Sequence, residues 1–315
     1  MYAKVVIWKA ATLVVTIILA ATLVFFVMSL LPGDAAEVAL GLQKNPEALR
    51  RLREALGLDQ PLQVRYFVWL SKFFTGNLGE SIRSGEPVSK MIATRLPVTV
   101  TLALLAMIFG MLIGIPAGVV AAIRRGKAAD FAASLSATIG ISVPGFWLGI
   151  LMILIFSIWL RIAPSGGYVN PSEDPFGWLS HLILPSLAVG LILSSYLERM
   201  VRSSLLEVLP RDYILAARAK GLSEYMVIFK HALKNSMIPV VTAAGLQLGT
   251  ILGGIIYIEE VFQIDGLGRL LLNAVAARDF PVVQAVALTM TFFFIATNLV
   301  VDLLVSYVDP RISYR

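Results

Sequence analysis

The sequence predicts an all-α integral membrane protein with six membrane-spanning helices. Its 315 residues are 58% hydrophobic and 15% charged, with a mean hydropathy of +0.82, whereas a globular chain is about 25% charged. The apolar residues gather in runs of about 20, the length that a helix needs to cross a bilayer. These runs are Ala10–Leu31, Val98–Ile123, Phe131–Leu160, Leu179–Leu197, Val240–Ile258 and Val282–Val308.

The distribution of ionisable residues supports these six runs. All 26 Lys and Arg residues lie outside them, and Asp302, near the end of the last run, is the only acid inside. An acid close to a helix end reaches the interface, so we expect a helix-end contact for Asp302 rather than an ion pathway. The chain has no cysteine and two histidines, His181 and His231. This composition excludes disulfides and thiolate chemistry and argues against a histidine metal cluster.

Positive charge predicts that both termini face the cytoplasm. With the N-terminus inside, the inner segments carry 14 basic residues and the two short outer loops carry 3, as the positive-inside rule requires. The net charge of +6 is therefore explained by basic residues that collect on the cytoplasmic side of the membrane. We expect no nucleic-acid partner. The first run is 22 residues long and largely apolar, longer than the roughly 7–15 residues of a signal-peptide core, so we interpret it as a retained span.

This orientation divides the chain into three parts. Residues 1–31 form the cytoplasmic N-terminus and first span, residues 32–97 form a long periplasmic loop, and residues 98–315 form a five-helix core. A central cytoplasmic loop, residues 199–239, lies within that core.

The long outer loop contains two predicted helices. Apolar residues at helical spacing predict an amphipathic helix that Asn45 caps, Pro46 begins and Gly57 ends. An aromatic-rich segment, Tyr66–Phe74, follows. Aromatic rings favour the membrane interface, so we expect this segment to lie there. A contact surface for an extracytoplasmic partner is the alternative.

Glycines and prolines mark particular positions within the spans. Two spans carry glycines at i, i+4 and i+8, a stripe that allows close helix approach, either inside one bundle or at a moving or subunit interface. The stripes are Gly110, Gly114 and Gly118, and Gly245, Gly249 and Gly253. Prolines within spans predict kinks; they are Pro116, Pro144 and Pro185.

The outer loop between the fifth and sixth predicted spans is rich in charge. It contains the pair Glu259 and Glu260, followed by Asp265 and Asp279. No histidine, serine elbow or metal ligand stands at a useful spacing to complete a catalytic site there. We therefore predict a turn followed by an amphipathic segment.

The central loop has a clear amphipathic pattern between Ala216 and Pro239. Its apolar residues stand at i, i+3, i+4, i+7, i+10 and i+11; they are Leu222, Tyr225, Met226, Phe229, Ala232 and Leu233. Gly221 separates this segment from a short preceding helix and permits a sharp turn. The resulting helix–turn–helix would lie on anionic lipid, plug the bundle, or dock into a groove on a soluble protein. The pattern alone leaves all three open.

Several motifs resemble those of one transporter family. The motifs "ARAKG" (Ala217–Gly221) and "HALKN" (His231–Asn235), with Pro239 after them, are similar to the EAA loop of ABC importer permeases. The closest resemblance is to the first-subunit type of the dipeptide/oligopeptide/nickel permease family. The motifs "LPGD" (Leu31–Asp34), "LGLDQPL" (Leu56–Leu62) and "GLGRLL" (Gly266–Leu271) agree. Leu215 stands where the general EAA pattern has glutamate.

The resemblance implies a type I ABC importer permease in a bacterial inner membrane. Such a chain would pair with a homologous second permease, bind two cytoplasmic ATPase subunits through the two EAA loops, and receive substrate from a periplasmic binding protein. Di- or oligopeptides are the implied substrates, with glutathione, nickel chelates or oligosaccharides as alternatives. The chain would not be an enzyme on its own. It lacks a G-x-x-x-x-G-K-[ST] sequence, so ATP and Mg would be bound by the partners and no cofactor by this chain.

The resemblance also implies roles for particular residues. The residues expected to couple to the ATPase are Ala216, Ala217, Lys220, Gly221, Leu222, Tyr225, Met226 and Phe229. Polar residues within the spans are candidates for lining the substrate pathway, although helix–helix hydrogen bonding is the alternative. They are Thr138, Ser142, Gln247, Thr250 and Asn298.

Three other function classes make different demands on the sequence. An ion-coupled secondary transporter needs ionisable residues in mid-membrane and inverted repeats, and only Asp302 lies within a span. An intramembrane enzyme needs a catalytic constellation within the spans, which the sequence lacks. A structural membrane protein makes no such demand, and it would have no nucleotide-dependent partner.

Overall fold

The computed structural model describes residues 2–30, 36 and 46–308. The described part of the chain is helical, apart from one isolated β-bridge between Glu80 and Pro87. Its helices are α1 Tyr2–Leu30, α2 Pro46–Leu56, α3 Leu62–Phe74, α4 Val88–Ile123, α5 Ala128–Ser142, α6 Gly145–Trp159, α7 Pro175–Val208, α8 Asp212–Ala219, α9 Glu224–Val261, α10 Leu267–Ala276 and α11 Phe280–Val308. The Leu31–Asp34 motif, the Asn45 cap and the side chain of Asp302 lie outside the described residues.

Five of these helices are long and apolar enough to span a membrane: α1, α4, α7, α9 and α11. They correspond to five of the six predicted spans. The third predicted span, Phe131–Leu160, corresponds to α5 and α6, which meet at an angle of 105°. The described part of the chain therefore has five continuous spans and one bent pair.

The bend between α5 and α6 follows from the Val143–Pro144 step. A residue before proline is pushed out of the helical region, and proline has no N–H to continue the ladder. Val143 accordingly has φ −83° and ψ 126°, and Pro144 has ψ 134°. The kink predicted at Pro144 is confirmed and is a full break. Pro116 and Pro185 lie inside the unbroken helices α4 and α7.

The chain packs as two compact units. Unit 1 comprises residues 1–99 and 265–295, and unit 2 comprises residues 100–264 and 296–315. The core of unit 1 is formed by apolar side chains from the start of α4, from α10 and from the start of α11. These are Val88, Ile92, Leu267, Leu270, Ala274, Val282, Val283, Ala285 and Val286. The turn and amphipathic segment predicted after α9 are thus confirmed, with α10 burying one face.

Polar contacts in unit 1 hold its turns against this core. Buried Asp279 accepts hydrogen bonds from Ser81 Oγ at 2.5 Å and from the backbone N–H of Ile82 at 3.2 Å. Asp265 pairs with Arg95 through two N–O distances of 3.1 Å. These two carboxylates therefore have structural partners.

The two helices predicted in the outer loop are both present. Helix α2 begins at Pro46 and is followed by Gly57, whose φ of +67° favours glycine. Helix α3 contacts α1 through a 2.7 Å hydrogen bond between the hydroxyls of Tyr66 and Thr22. The predicted membrane-interface position of this aromatic segment stays a prediction.

In unit 2, the first glycine stripe packs directly against α7. A Cβ placed on Gly110 would lie 2.5 Å from Leu193 Cδ2, and one placed on Gly114 would lie 2.5 Å from the carbonyl oxygen of Ser194. A Cβ on Gly118 would lie 2.6 Å from the carbonyl oxygen of Glu198. This stripe therefore serves close packing inside the chain.

The second stripe, on α9, has a different environment at each end. Gly245 packs against Val301, whereas a Cβ on Gly253 or Gly254 would meet nothing within 4 Å. The face of α9 that carries Gly253 is therefore open in the single chain.

The two stripes supply a matched pair of variants. Gly114→Ala is expected to destabilise the protein by about 1–3 kcal/mol, because the new Cβ overlaps backbone atoms that cannot yield easily. Gly253→Ala is expected to be neutral or stabilising. The helix-propensity gain of about 1 kcal/mol from alanine acts in both variants, so their difference isolates the packing contact. Thermal unfolding of the purified protein measures it, and equal melting temperatures would contradict the close α4–α7 contact.

Candidate functional site

The loop between α7 and α9 turns sharply at Gly221. This residue has φ +76°, a left-handed conformation that costs other residues energy. Helix α8 ends just before it: the N–H of Gly221 donates to the carbonyl of Arg218 at 2.9 Å, and that of Leu222 donates to Ala217 at 3.4 Å. These two bonds satisfy carbonyls at the end of α8, as in a Schellman-type cap. The turn predicted at Gly221 is confirmed.

Side chains on both sides of Gly221 brace the turn. Arg218 and Glu224 form a two-pronged ion pair, with Nε–Oε1 at 2.8 Å and Nη2–Oε2 at 3.2 Å. Ser223 caps α9, since its Oγ accepts the N–H of Met226 at 3.4 Å. Farther along, Asn235 Nδ2 donates to the hydroxyl of Tyr213 at 3.1 Å and ties α8 to α9. The loop is therefore a defined helix–turn–helix.

The first turns of α9 depart from the α-helix that the sequence pattern predicts. Residues Val227–Ala232 form a π-helical turn, which is wider by about one residue per turn and occurs mostly at functional sites. Ala232, expected on one apolar face with Tyr225 and Phe229, is instead fully buried with Val227 and Ile228. The prediction of a single apolar face is wrong, because the wider turn rotates the later residues inward.

Three residues of that predicted face point outward and form an apolar surface. Tyr225, Met226 and Phe229 are 71%, 37% and 45% exposed, and the rings of Tyr225 and Phe229 lie 4.7 Å apart. We call these three residues the outer patch. Within unit 2 the outer patch belongs to a braced turn and carries rigid aromatic groups, the kind of residue that anchors protein interfaces.

The remaining predicted coupling residues lie in varied environments. Ala216, Lys220 and Gly221 are exposed, Leu222 is half-buried and Ala217 is buried. The small side chain of Ala217 thus serves the packing of α8 within the loop, while Ala216 faces outward.

The predicted pathway residues lie on three helices of unit 2. On α5, Thr138 and Ser142 are exposed, and their hydroxyls donate to carbonyls one turn earlier in the same helix, at 2.7 and 2.9 Å. Thr250 on α9 is exposed and Gln247 is half-buried. Asn298 on α11 is half-buried, and its Oδ1 accepts no hydrogen bond from the described residues. The bonds of Thr138 and Ser142 stay inside α5 and do not join helices.

A partly buried ion pair lies beside the loop and was not predicted from the sequence. Arg202 near the end of α7 contacts Asp130 in the first turn of α5, with Nε–Oδ1 at 2.6 Å and Nη2–Oδ2 at 3.0 Å. Asp130 also accepts the N–H of Gly126 at 2.9 Å. Glu198, one turn before Arg202, is 3% exposed. This cluster joins the 124–127 turn, α5 and α7.

The sequence contains only a weak signal for this cluster. Asp130 directly precedes a span, and Arg202 belongs to a run of basic residues, so each reads as an ordinary flanking charge. The i, i+4 spacing of Glu198 and Arg202 places both on one helix face, which is the one available sign that they act together.

The fold matches that of the membrane subunits of ABC transporters. A solved chain of the MetNI methionine ABC transporter, in an inward-facing conformation, superposes with a TM-score of 0.59 at 22% identity, covering 71% of this chain and 99% of that chain. Long apolar helices joined by a braced elbow thus define a multi-span membrane fold of this class.

The chain belongs to the family described as "Binding-protein-dependent transport system inner membrane component", which matches residues 114–314. The corresponding N-terminal family matches residues 2–103. These matches confirm the resemblance to ABC importer permeases drawn from the loop motifs, and this family is that of multi-pass permease subunits of bacterial ABC transporters.

Relatives from three organisms match over nearly their whole length. A Brucella suis protein named as a permease of a peptide transport system is 45% identical, with 97% of this chain and 98% of the relative covered. The dipeptide transport system permease protein DppB of Alkalihalophilus pseudofirmus is 40% identical, with 96% and 97% covered. The glutathione transport system permease protein GsiC of Salmonella choleraesuis is 43% identical, with 96% of each covered.

Proposed function

We propose that this chain is one of two homologous permease subunits of an importer for di- or oligopeptides, driven by ATP hydrolysis on two cytoplasmic ATPase subunits. Substrate arrives from a periplasmic binding protein. The names of the relatives support a peptide-like substrate, and GsiC makes glutathione the foremost alternative. Nickel chelates and oligosaccharides are the remaining alternatives.

The observation that carries the proposal is the braced elbow with its outer patch. Exposed Tyr225, Met226 and Phe229 are suited to insertion into an apolar groove, the helix-in-groove mode of recognition. A lipid-lying helix would present a continuous apolar face, but the π turn splits this face into a buried and an exposed part. Docking to an ATPase subunit is therefore favoured over the lipid and plug alternatives.

We place the partner permease on the open face of α9. Leu246, Thr250, Gly253 and Tyr257 stand at i, i+4, i+7 and i+11, and all four are exposed in the single chain. Gly253 and Gly254 have open space beside them, so another helix has room to approach closely. Thr250, with Gln247 on the adjoining turn, would then contribute to a pathway between the two permeases, together with Thr138, Ser142 and Asn298.

The proposal assigns the chain to the bacterial inner membrane with both termini in the cytoplasm. The chain itself catalyses no reaction, and ATP and Mg are bound by the partner ATPases. The positive-inside charge distribution supports this orientation.

Purification of the chain from its native membrane in mild detergent tests the assembly. We expect mass spectrometry to identify a homologous permease and Walker-motif ATPase subunits in a fixed ratio. A chain that is isolated alone or as a homodimer, under conditions that preserve other membrane complexes, would contradict the proposal and favour a secondary transporter.

Substrate identity needs a second measurement on the assembled complex. With the binding protein present, ATP hydrolysis in proteoliposomes should rise when di- or oligopeptides are added. Glutathione, a nickel chelate and an oligosaccharide serve as competing substrates. Stimulation by one of these alone would replace peptide as the substrate and leave the importer assignment intact.

A further inference from the structure

Unit 1 contains a large cavity that includes neither the outer patch nor the predicted pathway residues. Its volume is about 1140 Å³, and it is lined by the end of α1, by α2 and α3, and by the start of α11. Pockets for drug-sized ligands span about 300–1,000 Å³, so this cavity has room for a large amphipathic molecule.

One face of α3 supplies the chemically distinctive wall. Arg65, Trp69, Lys72 and Phe73 all line the cavity, at i, i+4, i+7 and i+8, which is one side of a helix. The Trp69 ring lies 5.4 Å from that of Phe25 on α1 and 6.2 Å from that of Phe73. This wall therefore combines two cations with a continuous aromatic surface.

The cations of this wall are available to an outside anion. Among the described residues, neither Arg65 nor Lys72 has a carboxylate within ion-pair distance. Of the two acids in the lining, Glu54 is held by Arg50 at 3.1 Å. Glu80 lines the cavity from the turn after α3 and is suited to accept hydrogen bonds from hydroxyl groups. The cavity thus favours an anion that carries hydroxyls.

The surroundings of the cavity favour a lipid over a soluble anion. Phe25 and Met28 on α1 line the cavity, and Val68 on α3 lines it beside Trp69 and Phe73. Apolar side chains therefore flank the cavity along a membrane span and an aromatic helix, the arrangement that suits acyl chains beside an interfacial headgroup. A free anion would use the cations alone and leave the aromatic wall unused.

We propose that this cavity binds a phospholipid with an anionic headgroup. Arg65 and Lys72 hold the headgroup phosphate, Glu80 accepts from headgroup hydroxyls, Trp69 and Phe73 cover the glycerol region, and the acyl chains lie along α1. Basic pockets beside membrane helices recognise anionic lipid headgroups in this way.

Native mass spectrometry of the intact complex, in an equal mixture of phosphatidylglycerol and phosphatidylcholine, tests the proposal. The wild-type complex should retain phosphatidylglycerol preferentially. The double variant Arg65→Gln, Lys72→Gln should lose about twenty-five-fold of that preference, since each basic residue near the surface contributes about fivefold. The control double variant Arg83→Gln, Lys90→Gln removes two cations that do not line the cavity, and it should keep the preference.

A fluorescence measurement covers the case in which the first double variant is poorly stable. Phosphatidylglycerol brominated near the glycerol should quench the tryptophan emission of the wild-type complex. The quenched fraction should fall in Trp69→Phe, which keeps an aromatic ring. An unchanged quenched fraction in that variant would place the lipid elsewhere.

Three outcomes would overturn the lipid assignment. One is equal phosphatidylglycerol retention by the Arg65, Lys72 variant and its control. Another is displacement of the lipid by millimolar inorganic phosphate, which would identify a site for free phosphate. A third is weaker docking of the binding protein in the Arg65, Lys72 variant with lipid retention unchanged, which would make this wall a protein contact. Assembly with the ATPases is expected in every variant, so none of these outcomes tests the proposed transport function.

Discussion

Replacement of both Tyr225 and Phe229 by aspartate is expected to abolish binding of the ATPase subunits. The two rings contact each other and are exposed, so the change removes no contact from the core of unit 2. Interface aromatic residues commonly contribute at least about 2 kcal/mol each, and the loss of two predicts a drop in affinity of more than about a hundredfold. The amount of ATPase that copurifies with the permease measures this effect, and transport should fall with it.

Two control variants separate the outer patch from the added charge. Arg125→Asp makes the same change of two charge units on an exposed residue of a different turn, and it should leave copurification unchanged. The swap Tyr225→Phe with Phe229→Tyr keeps both rings and should retain most binding. Full ATPase recovery with the double aspartate variant would show that the docking surface lies elsewhere.

The Gly221→Val variant is expected to insert into the membrane normally. Transport by this variant should no longer be coupled to ATP hydrolysis. A Cβ at Gly221 meets nothing within 4 Å, so the change causes no clash. A β-branched residue at φ +76° instead carries backbone strain of about 1–3 kcal/mol. Reorientation of the turn relieves this strain and moves the outer patch. We expect substrate-stimulated ATP hydrolysis to fall by about fivefold to a hundredfold, the range that this strain energy corresponds to at tenfold per about 1.4 kcal/mol.

Gly85 and asparagine provide the matched controls for this variant. Gly85 is also exposed, with φ +70° and open space around its Cβ position, so Gly85→Val introduces the same strain away from the outer patch. It should lower the melting temperature without uncoupling hydrolysis from transport. Gly221→Asn should retain most activity, because asparagine tolerates this conformation better than valine. If valine at 221 behaves as wild type, the direction of the turn does not matter for coupling.

The sequence predicts the elements whose signals are local. The start of α2 at Pro46, the turn at Gly221 and the amphipathic face of α10 each depend on residues within one or two turns, and the structure agrees with all three. Long apolar runs likewise predict five spans, because a helix that crosses hydrocarbon must be apolar along its whole length.

The features that the sequence does not predict depend on geometry beyond the local pattern. The segments on both sides of Val143–Pro144 are apolar, so composition cannot distinguish a kink from a 105° break. One π turn at Val227–Ala232 changes which residues face inward, and periodicity of 3.6 assumes that no such turn occurs. Whether a glycine stripe packs against another helix of the same chain also depends on what lies opposite it. Gly114 packs against α7, whereas the Cβ position of Gly253 has no atom within 4 Å.

The ion pair between Asp130 and Arg202 has a mechanical consequence. A contact with two charged hydrogen bonds fixes the relative orientation of α5 and α7. The close approach of Gly118 to the carbonyl of Glu198 packs α4 tightly against α7. We therefore expect a displacement of α7 where it enters the elbow to carry the first turn of α5 with it. The 105° break at Val143–Pro144 lies farther along the same helix pair, so we expect bending between α5 and α6 to occur there rather than at the ion pair.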